Sequence, residues 1–181
     1  MFSIIRLRSN FSYDVVVLFL LGIASGLPYL LVFGTLSVWL REAGIERDTI
    51  SFLSWAALSY GFKFIWAPLI DSFPLPLLTQ KLGRRRSWML LAQLIIVCAL
   101  VTMSCMDPGM GQTQLVLLVL GAVLLAFASA TQDIVIDAYR IDIAPPKYQA
   151  LLSGMSVAGY RASLSNLHRI FGSPDLFIWG I

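Results

Sequence analysis

The chain has 181 residues, of which 58% are hydrophobic and only 13% are charged. Soluble domains carry about 25% charged residues, and apolar runs of 20 or more residues are typical of membrane spans. The composition therefore excludes an ordinary soluble domain. The formal net charge of +3 comes from basic residues in the loops between apolar runs, so it does not indicate a nucleic-acid partner.

Four apolar segments are long enough to cross the ~30 Å hydrocarbon core as helices, which takes roughly 20 residues each. They cover residues 15–40, 50–70, 88–106 and 115–139. Backbone groups in lipid must be hydrogen-bonded within their own segment, and no alternation typical of strands is present, so the segments should be helices. The predicted fold class is all-α, a polytopic transmembrane helical bundle with the lipid bilayer as its first partner.

The first segment continues without charge to Leu40, far beyond the roughly 7 to 15 residues of a signal-peptide core. We therefore expect a retained span. Gly22 and Gly26 have the spacing that lets helices approach closely, and Pro28 removes one backbone hydrogen bond near the middle. Such an interruption points to a transporter's binding site, although a plain packing kink remains an alternative.

Basic residues in short loops stay on the cytoplasmic side of a membrane. They precede the first segment, follow the fourth and cluster between the second and third, as Arg6, Arg8, Lys81, Arg84, Arg85, Arg86, Arg140 and Lys147. The opposite loops hold only Arg41 and Arg47, which acidic residues offset. The pattern predicts a cytoplasmic N-terminus.

Lys63 lies inside the second segment, and two interpretations are open. Its long side chain can carry the ammonium group out to the lipid headgroups. Alternatively, Lys63 faces a cavity, where it pairs with an acid such as Asp133 or attracts an anionic substrate.

The fourth segment carries Gln132, Asp133, Asp137 and Arg140. At about 100° per residue the three charged side chains share one helix face, and Asp137 can pair with Arg140 along the helix. A charge near the bilayer centre costs at least ~2.5 kcal/mol and usually faces protein or water, which favours transport. The alternative is that a helix entering near Gln114 reaches the inner surface near Asp133 after roughly 20 residues.

A fifth span begins at Ala150 but fails after Tyr160, because polar residues follow from Arg161 onward. We therefore divide the chain into a partial transmembrane bundle over residues 1–161 and a divergent polar tail over residues 162–181. A truncated or frameshifted reading frame would explain such a tail.

Four motifs resemble those of the AmpG-type muropeptide permeases, carriers of the major facilitator superfamily that are akin to acetyl-coenzyme A transporters. The motifs are GIASGLP at 22–28, FKFIWAPLID at 62–71, GRRRSW at 83–88 and ASATQDIVIDA at 128–138. The likeness runs from about residue 15 to residue 161. It implies an inner-membrane carrier that imports anhydro-muropeptides with protons for peptidoglycan recycling, here as part of the N-terminal half, with four spans and an incomplete fifth.

The resemblance also implies roles for particular residues. It assigns Gly26, Pro28, Gln132, Asp133 and Asp137 to the substrate and proton pathway, to which Lys63 is added because of its position inside the second segment. It assigns Asp71, Arg84 and Arg85 to a gating charge network, for which a positive-inside anchor is the plain alternative. Arg140 is added to that network because it lies on the charged face of the fourth segment.

Such carriers have about twelve spans in two halves that rock around a shared site, so this chain alone is not expected to transport unless another chain supplies the missing helices. Two alternatives stay open: a non-transporting membrane fragment or interaction module, and an acetyl-coenzyme A-type carrier whose substrate phosphates meet the Arg cluster. The sequence contains no catalytic set of nucleophile, base and oxyanion donor and no metal-ligand spacing. We therefore expect no enzyme activity, cofactor or metal.

Overall fold

The computed structural model describes residues 11–45, 54–76, 78–143 and 145–171, and within these ranges it is helical and contains no strand. The helices are α1 (Phe11–Leu30), α2 (Ser37–Glu42), α3 (Ser54–Gly61), α4 (Ala67–Ser72), α5 (Leu78–Leu82), α6 (Arg84–Ser104), α7 (Gln112–Ile143) and α8 (Gln149–Phe171). A π-helical turn, Leu31–Leu36, joins α1 to α2. The all-α class predicted from the sequence is confirmed for the described residues.

Among the described residues, three helical stretches are long and apolar enough to cross a membrane, namely Tyr13–Glu42, Arg84–Ser104 and Gln112–Ile143. They coincide with the first, third and fourth predicted segments. At about 1.5 Å per residue, α7 is ~48 Å long and exceeds the ~30 Å hydrocarbon core. One end of α7, or both, must therefore extend into the headgroup region or beyond it.

The second predicted segment is interrupted, and the expectation of one continuous helix over residues 50–70 was wrong. α3 ends at Gly61, a 3-10 turn covers Lys63–Ile65, and α4 begins at Ala67. Pro68 contributes to the break because it lacks an N–H group and its ring collides with the carbonyl four residues earlier in a continuing helix. Residues 50–53 of this prediction lie outside the described residues.

The fifth segment is a longer helix than the sequence indicated. α8 continues through Arg161 to Phe171, so the change from apolar to polar sequence does not end the helix. α8 is not one of the three stretches that meet the length and hydropathy of a span. Residues 172–181 of the predicted tail lie outside the described residues.

The chain divides into two compact units, of which the first comprises residues 1–26 and 139–181. Within it, α1 and α8 meet backbone to backbone. A Cβ atom on Gly22 would lie 3.0 Å from the carbonyl carbon of Ser156 and closer still to its oxygen. The close helix approach predicted from the glycine spacing is therefore present at Gly22.

The same packing is reciprocal, because α8 also contributes a glycine to the crossing. A Cβ atom on Gly159 would lie 3.0 Å from the carbonyl carbon of Phe19 and 3.1 Å from the backbone nitrogen of Ile23. Nearby, Leu18 of α1 and Leu152 of α8 are buried together. Glycine on both helices thus lets the two backbones touch, as small residues do at membrane helix interfaces.

The second unit comprises residues 27–138 and has its core around α7. The largest buried cluster joins the C-terminal part of the first span, α6 and α7. Its members include Val32, Leu36, Leu40, Ile96, Ala99, Met103, Leu118, Ala122 and Leu125. These residues recur every three or four positions on each helix, which is the spacing of a buried helical face.

Two sets of contacts define how α6 and α7 are aligned. Near the connecting loop, a Cβ atom on Gly121 would lie 2.7 Å from Cγ of Met103. Towards the other end, Met89 packs against the cluster that contains Ile134 and Val135. In antiparallel helices with Met103 beside Gly121, Met89 comes level with Val135, which agrees with the packing of Met89 against that cluster.

Candidate functional site

The register between α6 and α7 fixes the depth of the two α7 carboxylates relative to the start of α6. It places Asp133 level with Leu91 and Asp137 level with Ser87. Since α6 begins at Arg84, Asp137 lies ~5 Å and Asp133 ~10 Å along the helix axis from that end, at about 1.5 Å per residue.

Basic residues mark the cytoplasmic ends of membrane helices, and α6 opens with Arg84, Arg85 and Arg86. If these residues lie at the headgroups, Asp137 is interfacial and Asp133 is inside the hydrocarbon region. The sequence left open whether the α7 carboxylates lie inside the bilayer or at its inner surface. The register favours a position inside the bilayer for Asp133 and a position at the surface for Asp137.

Neighbouring side chains on α7 have very different surroundings. Gln132 is only 1% exposed, Asp133 is half-buried and Asp137 is exposed. Within the described part of the chain, the Nε2 atom of Gln132 has no hydrogen-bond partner. Gln132 is thus enclosed, whereas Asp133 is partly accessible and Asp137 is accessible. The pathway role of the three residues stays a prediction.

The two predicted pathway residues of the first span are both buried. Gly26 belongs to the first unit, where a Cβ atom on it would lie 3.1 Å from the carbonyl oxygen of Tyr160 and against Oγ of Ser163. Its lack of a side chain therefore serves helix packing. Pro28 belongs to the second unit and lies just ahead of the π-helical turn Leu31–Leu36.

Two members of the predicted charge network are brought together at the loop between α4 and α6. Asp71, at the end of α4, forms an ion pair with Arg85 in the first turn of α6. The indole Nε1 of Trp88 donates a hydrogen bond to the carbonyl oxygen of Phe73 at 2.9 Å. Because the ion pair is partly exposed, it contributes at most about 1 kcal/mol to stability.

The other two members of the network are placed differently. Arg84 is exposed. Arg140 lies in the first unit, where its Nη1 donates a hydrogen bond to Oγ of Ser153 at 2.6 Å. This contact ties the C-terminal part of α7 to α8.

Lys63 opens the 3-10 turn between α3 and α4 and is half-buried. It forms no ion pair with any other residue that the structure describes. The pairing with Asp133 considered from the sequence is therefore not formed here. Attraction of an anionic substrate stays a prediction.

An aromatic cluster that was not predicted from the sequence lies next to Pro28. Tyr29, Phe33 and Tyr60 contact one another, with the Tyr29 and Phe33 ring centroids 4.8 Å apart. Tyr29 and Phe33 are four residues apart and so share a helix face, which is a signal the sequence contained. The contribution of Tyr60 depends on tertiary packing and left no such signal.

Three helices long and apolar enough to cross a membrane, an interrupted segment and the half-buried Asp133 characterise the described residues as a helical membrane domain. The chain belongs to the family described as acetyl-coenzyme A transporter 1, whose model matches residues 12–166. That match extends past Arg161 into the predicted tail.

Among curated proteins, the chain is 40% identical to the transporter AmpG 4 of Rickettsia felis over 152 residues, which cover 84% of the chain and 36% of that protein. It is also 40% identical to the anhydromuropeptide permease of Escherichia coli over 148 residues, which cover 82% of the chain and 29% of the permease. The chain thus spans about a third of the length of these relatives. The AmpG resemblance is confirmed, and no solved structure matches the chain.

Proposed function

We propose that this chain is the N-terminal part of a proton-coupled carrier that imports anhydro-muropeptides across the bacterial inner membrane, with its N-terminus in the cytoplasm. The observation that carries the proposal is the half-buried Asp133, about 10 Å inward of the basic start of α6 along the helix axis. Relatives named as transporters and as an anhydromuropeptide permease support the substrate class.

The proton coupling follows from the cost of charge in the membrane. An ionised carboxylate at the depth of Asp133 is costly in lipid and tolerated in a hydrated cavity. Taking up a proton removes that cost, so a change in hydration during alternating access would favour binding or release of the proton. Asp137, nearer the surface and exposed, lies on the route between Asp133 and the cytoplasm.

The gating role is proposed for the Asp71–Arg85 pair. It joins the ends of α4 and α6, and an exposed ion pair contributes little enough free energy to open and close during a transport cycle. Arg84 and Arg140 would take part only in a state in which the missing helices are present. Alone, the chain would bind substrate but would not complete transport, because alternating access needs both halves.

An acetyl-coenzyme A-type carrier is the second candidate. The family description names that substrate, and the exposed Arg84 and Arg86 could pair with phosphate groups. The two candidates differ in competition: excess coenzyme A should block the second carrier and leave muropeptide uptake unchanged.

The proposal can be tested by joining the chain to the C-terminal two-thirds of the Escherichia coli permease and reconstituting the product in vesicles. Uptake of labelled anhydro-muropeptide should require an inward proton gradient, and Asp133→Asn should abolish the stimulation by that gradient. Glu42→Gln at the end of α2 is the matched control, because it removes an exposed carboxylate that has no part in the proposed proton pathway. Gradient-stimulated uptake that survives Asp133→Asn would contradict the proposal.

A further inference from the structure

The aromatic cluster formed by Tyr29, Phe33 and Tyr60 has no part in the proton pathway or the charge network. The ring centroids of Tyr29 and Tyr60 are 5.6 Å apart with planes at 78°, and those of Phe33 and Tyr60 are 6.3 Å apart. Every pair lies in the range of about 4.5 to 7 Å at which aromatic rings attract each other. The rings therefore hold one another in a defined arrangement.

The cluster is fixed on one side and accessible on the other. Phe33 and Tyr60 pack against the main buried cluster of the second unit, whereas Tyr29 is 38% exposed. A ring that is already held by its neighbours loses little conformational entropy when a ligand binds to it. Tyr29 thus offers a preorganised surface.

Both chain segments that supply the rings are interrupted beside them. Pro28 immediately precedes Tyr29, and Phe33 lies within the π-helical turn Leu31–Leu36. Tyr60 is the second-last residue of α3, just before the helix breaks. π-Helical turns occur frequently at functional sites, and interrupted membrane helices mark the substrate sites of carriers.

The depth of the cluster matches that of a substrate site. Tyr29 lies close to the middle of the uncharged run between Asp14 and Arg41 in the first span. Substrate sites of secondary carriers lie near the bilayer midplane. The two helix interruptions and the three aromatic rings therefore lie together at the depth of a carrier's substrate site.

We propose that Tyr29, Phe33 and Tyr60 form a carbohydrate-stacking subsite that receives the C–H-bearing face of an amino-sugar ring. This inference rests on the proposed function and deepens it by assigning the sugar moiety of the substrate to particular residues. Aromatic faces carry negative electrostatic potential, which complements the partly positive C–H face of a pyranose. The hydroxyl group of the exposed Tyr29 adds hydrogen-bonding capacity for sugar hydroxyls and N-acetyl groups.

The test uses the 181-residue chain in lipid nanodiscs and the peptide-free disaccharide N-acetylglucosaminyl-anhydro-N-acetylmuramic acid. Ligand-observed saturation-transfer NMR should show transfer from aromatic protons to the ring protons on one sugar face. Tyr29→Leu should raise the dissociation constant for the disaccharide roughly tenfold, as expected for the loss of one aromatic contact. Tyr29→Phe keeps the ring and should bind within about twofold of the unchanged chain.

Trp39→Leu is the matched control, because Trp39 is also 38% exposed and lies in the same continuous span. It should leave disaccharide binding unchanged. Phe33→Leu provides a second variant, which should also weaken binding, and circular dichroism confirms helix content for each protein. If Tyr29→Leu reduces helix content, Phe33→Leu decides the outcome.

Disaccharide binding that is insensitive to both Tyr29→Leu and Phe33→Leu would overturn the inference, as would the absence of binding at millimolar concentration. Saturation transfer from the aromatic protons to lipid acyl chains, with no transfer to the sugar, would also overturn the inference, because it would identify lipid as the occupant of the cluster. Failure of the proposed function is distinguishable. If gradient-stimulated uptake survives Asp133→Asn while sugar binding depends on Tyr29, the proposed proton pathway is wrong and the proposed sugar subsite is supported.

Discussion

Alanine substitutions at two glycines of α8 should change the stability of the chain in opposite directions. At Gly159 a Cβ atom would lie 3.0 Å from the carbonyl carbon of Phe19 and closer to its oxygen, whereas at Gly154 nothing lies within 4 Å of a Cβ atom. Alanine is favoured over glycine in a helix by about 1 kcal/mol. At Gly159 this gain is opposed by overpacking, which costs about 1 to 3 kcal/mol.

The contact at Gly159 involves backbone atoms of α1, so no side-chain rotation can relieve it and the two helices must separate. We therefore expect Gly159→Ala to lower the free energy of unfolding by up to about 2 kcal/mol, and Gly154→Ala to raise it by up to about 1 kcal/mol.

Denaturant-induced unfolding in detergent micelles, followed by circular dichroism, measures both variants against the unchanged chain. The two glycines are on the same helix, which makes Gly154→Ala a control for helix propensity and for detergent effects. Stabilisation by Gly159→Ala would refute the close packing of α1 on α8. Equal effects at both positions would refute the argument that the contact decides the sign.

Three further predictions concern the second unit. Gly83 has φ 80° and ψ 161°, a conformation essentially restricted to glycine, so Gly83→Ala should lower the free energy of unfolding by about 1 to 3 kcal/mol. The control in the same assay is Gly61→Ala, at a position without positive φ and with nothing within 4 Å of a Cβ atom. Equal effects of the two substitutions would contradict the reasoning. Gln132→Leu should raise stability by about 1 kcal/mol, because it replaces a buried amide whose Nε2 lacks a partner among the described residues with an apolar side chain of similar size; a loss of stability would reveal a bond that the amide makes. The third prediction concerns thiol labelling in a chain whose native cysteines are replaced by serine. A charged reagent added from the cytoplasmic side should react fastest with cysteine at position 137, more slowly at 133 and slowest at the buried position 130. Equal rates at 133 and 130 would place Asp133 outside any hydrated space.

The long helices could be predicted from sequence because hydropathy alone determines them. Residues 15–40, 88–106 and 115–139 were each predicted within a few residues of an observed helical stretch. Their apolar runs are longer than any buried helix of a small soluble domain requires, so composition was sufficient. The glycine-mediated approach of α1 was also predictable, since the spacing of Gly22 and Gly26 leaves one face of the helix without side chains.

The interruptions were only partly predictable. Pro28 indicated a kink, but the π-helical turn Leu31–Leu36 holds only the single Gly34, which does not separate its sequence from that of an α-helix. The break between α3 and α4 falls inside a continuous apolar run, which hydropathy treats as one span. Pro68 is tolerated in the first turn of α4, so its effect appears several residues earlier, at Lys63–Ile65. The form of the break depends on which backbone carbonyl groups ahead of Pro68 lose the N–H donor that a continuous helix would supply.

The depth of Asp133 could not be derived from the sequence because the only available reference was the start of its own helix. Counting inward from Gln114 left open, as an alternative, a position for Asp133 at the inner surface after roughly 20 residues, and that count assumes that the bilayer begins where the apolar run begins. α7 is in fact longer than a span, from Gln112 to Ile143, so its own ends do not mark the membrane. The contact between Gly121 and Met103 supplies an external reference by aligning α7 with α6, a helix whose length matches the bilayer and whose first turn is basic. Measured on that scale, Asp133 is two turns inward, which is why the proposed proton pathway depends on the packing of α6 against α7.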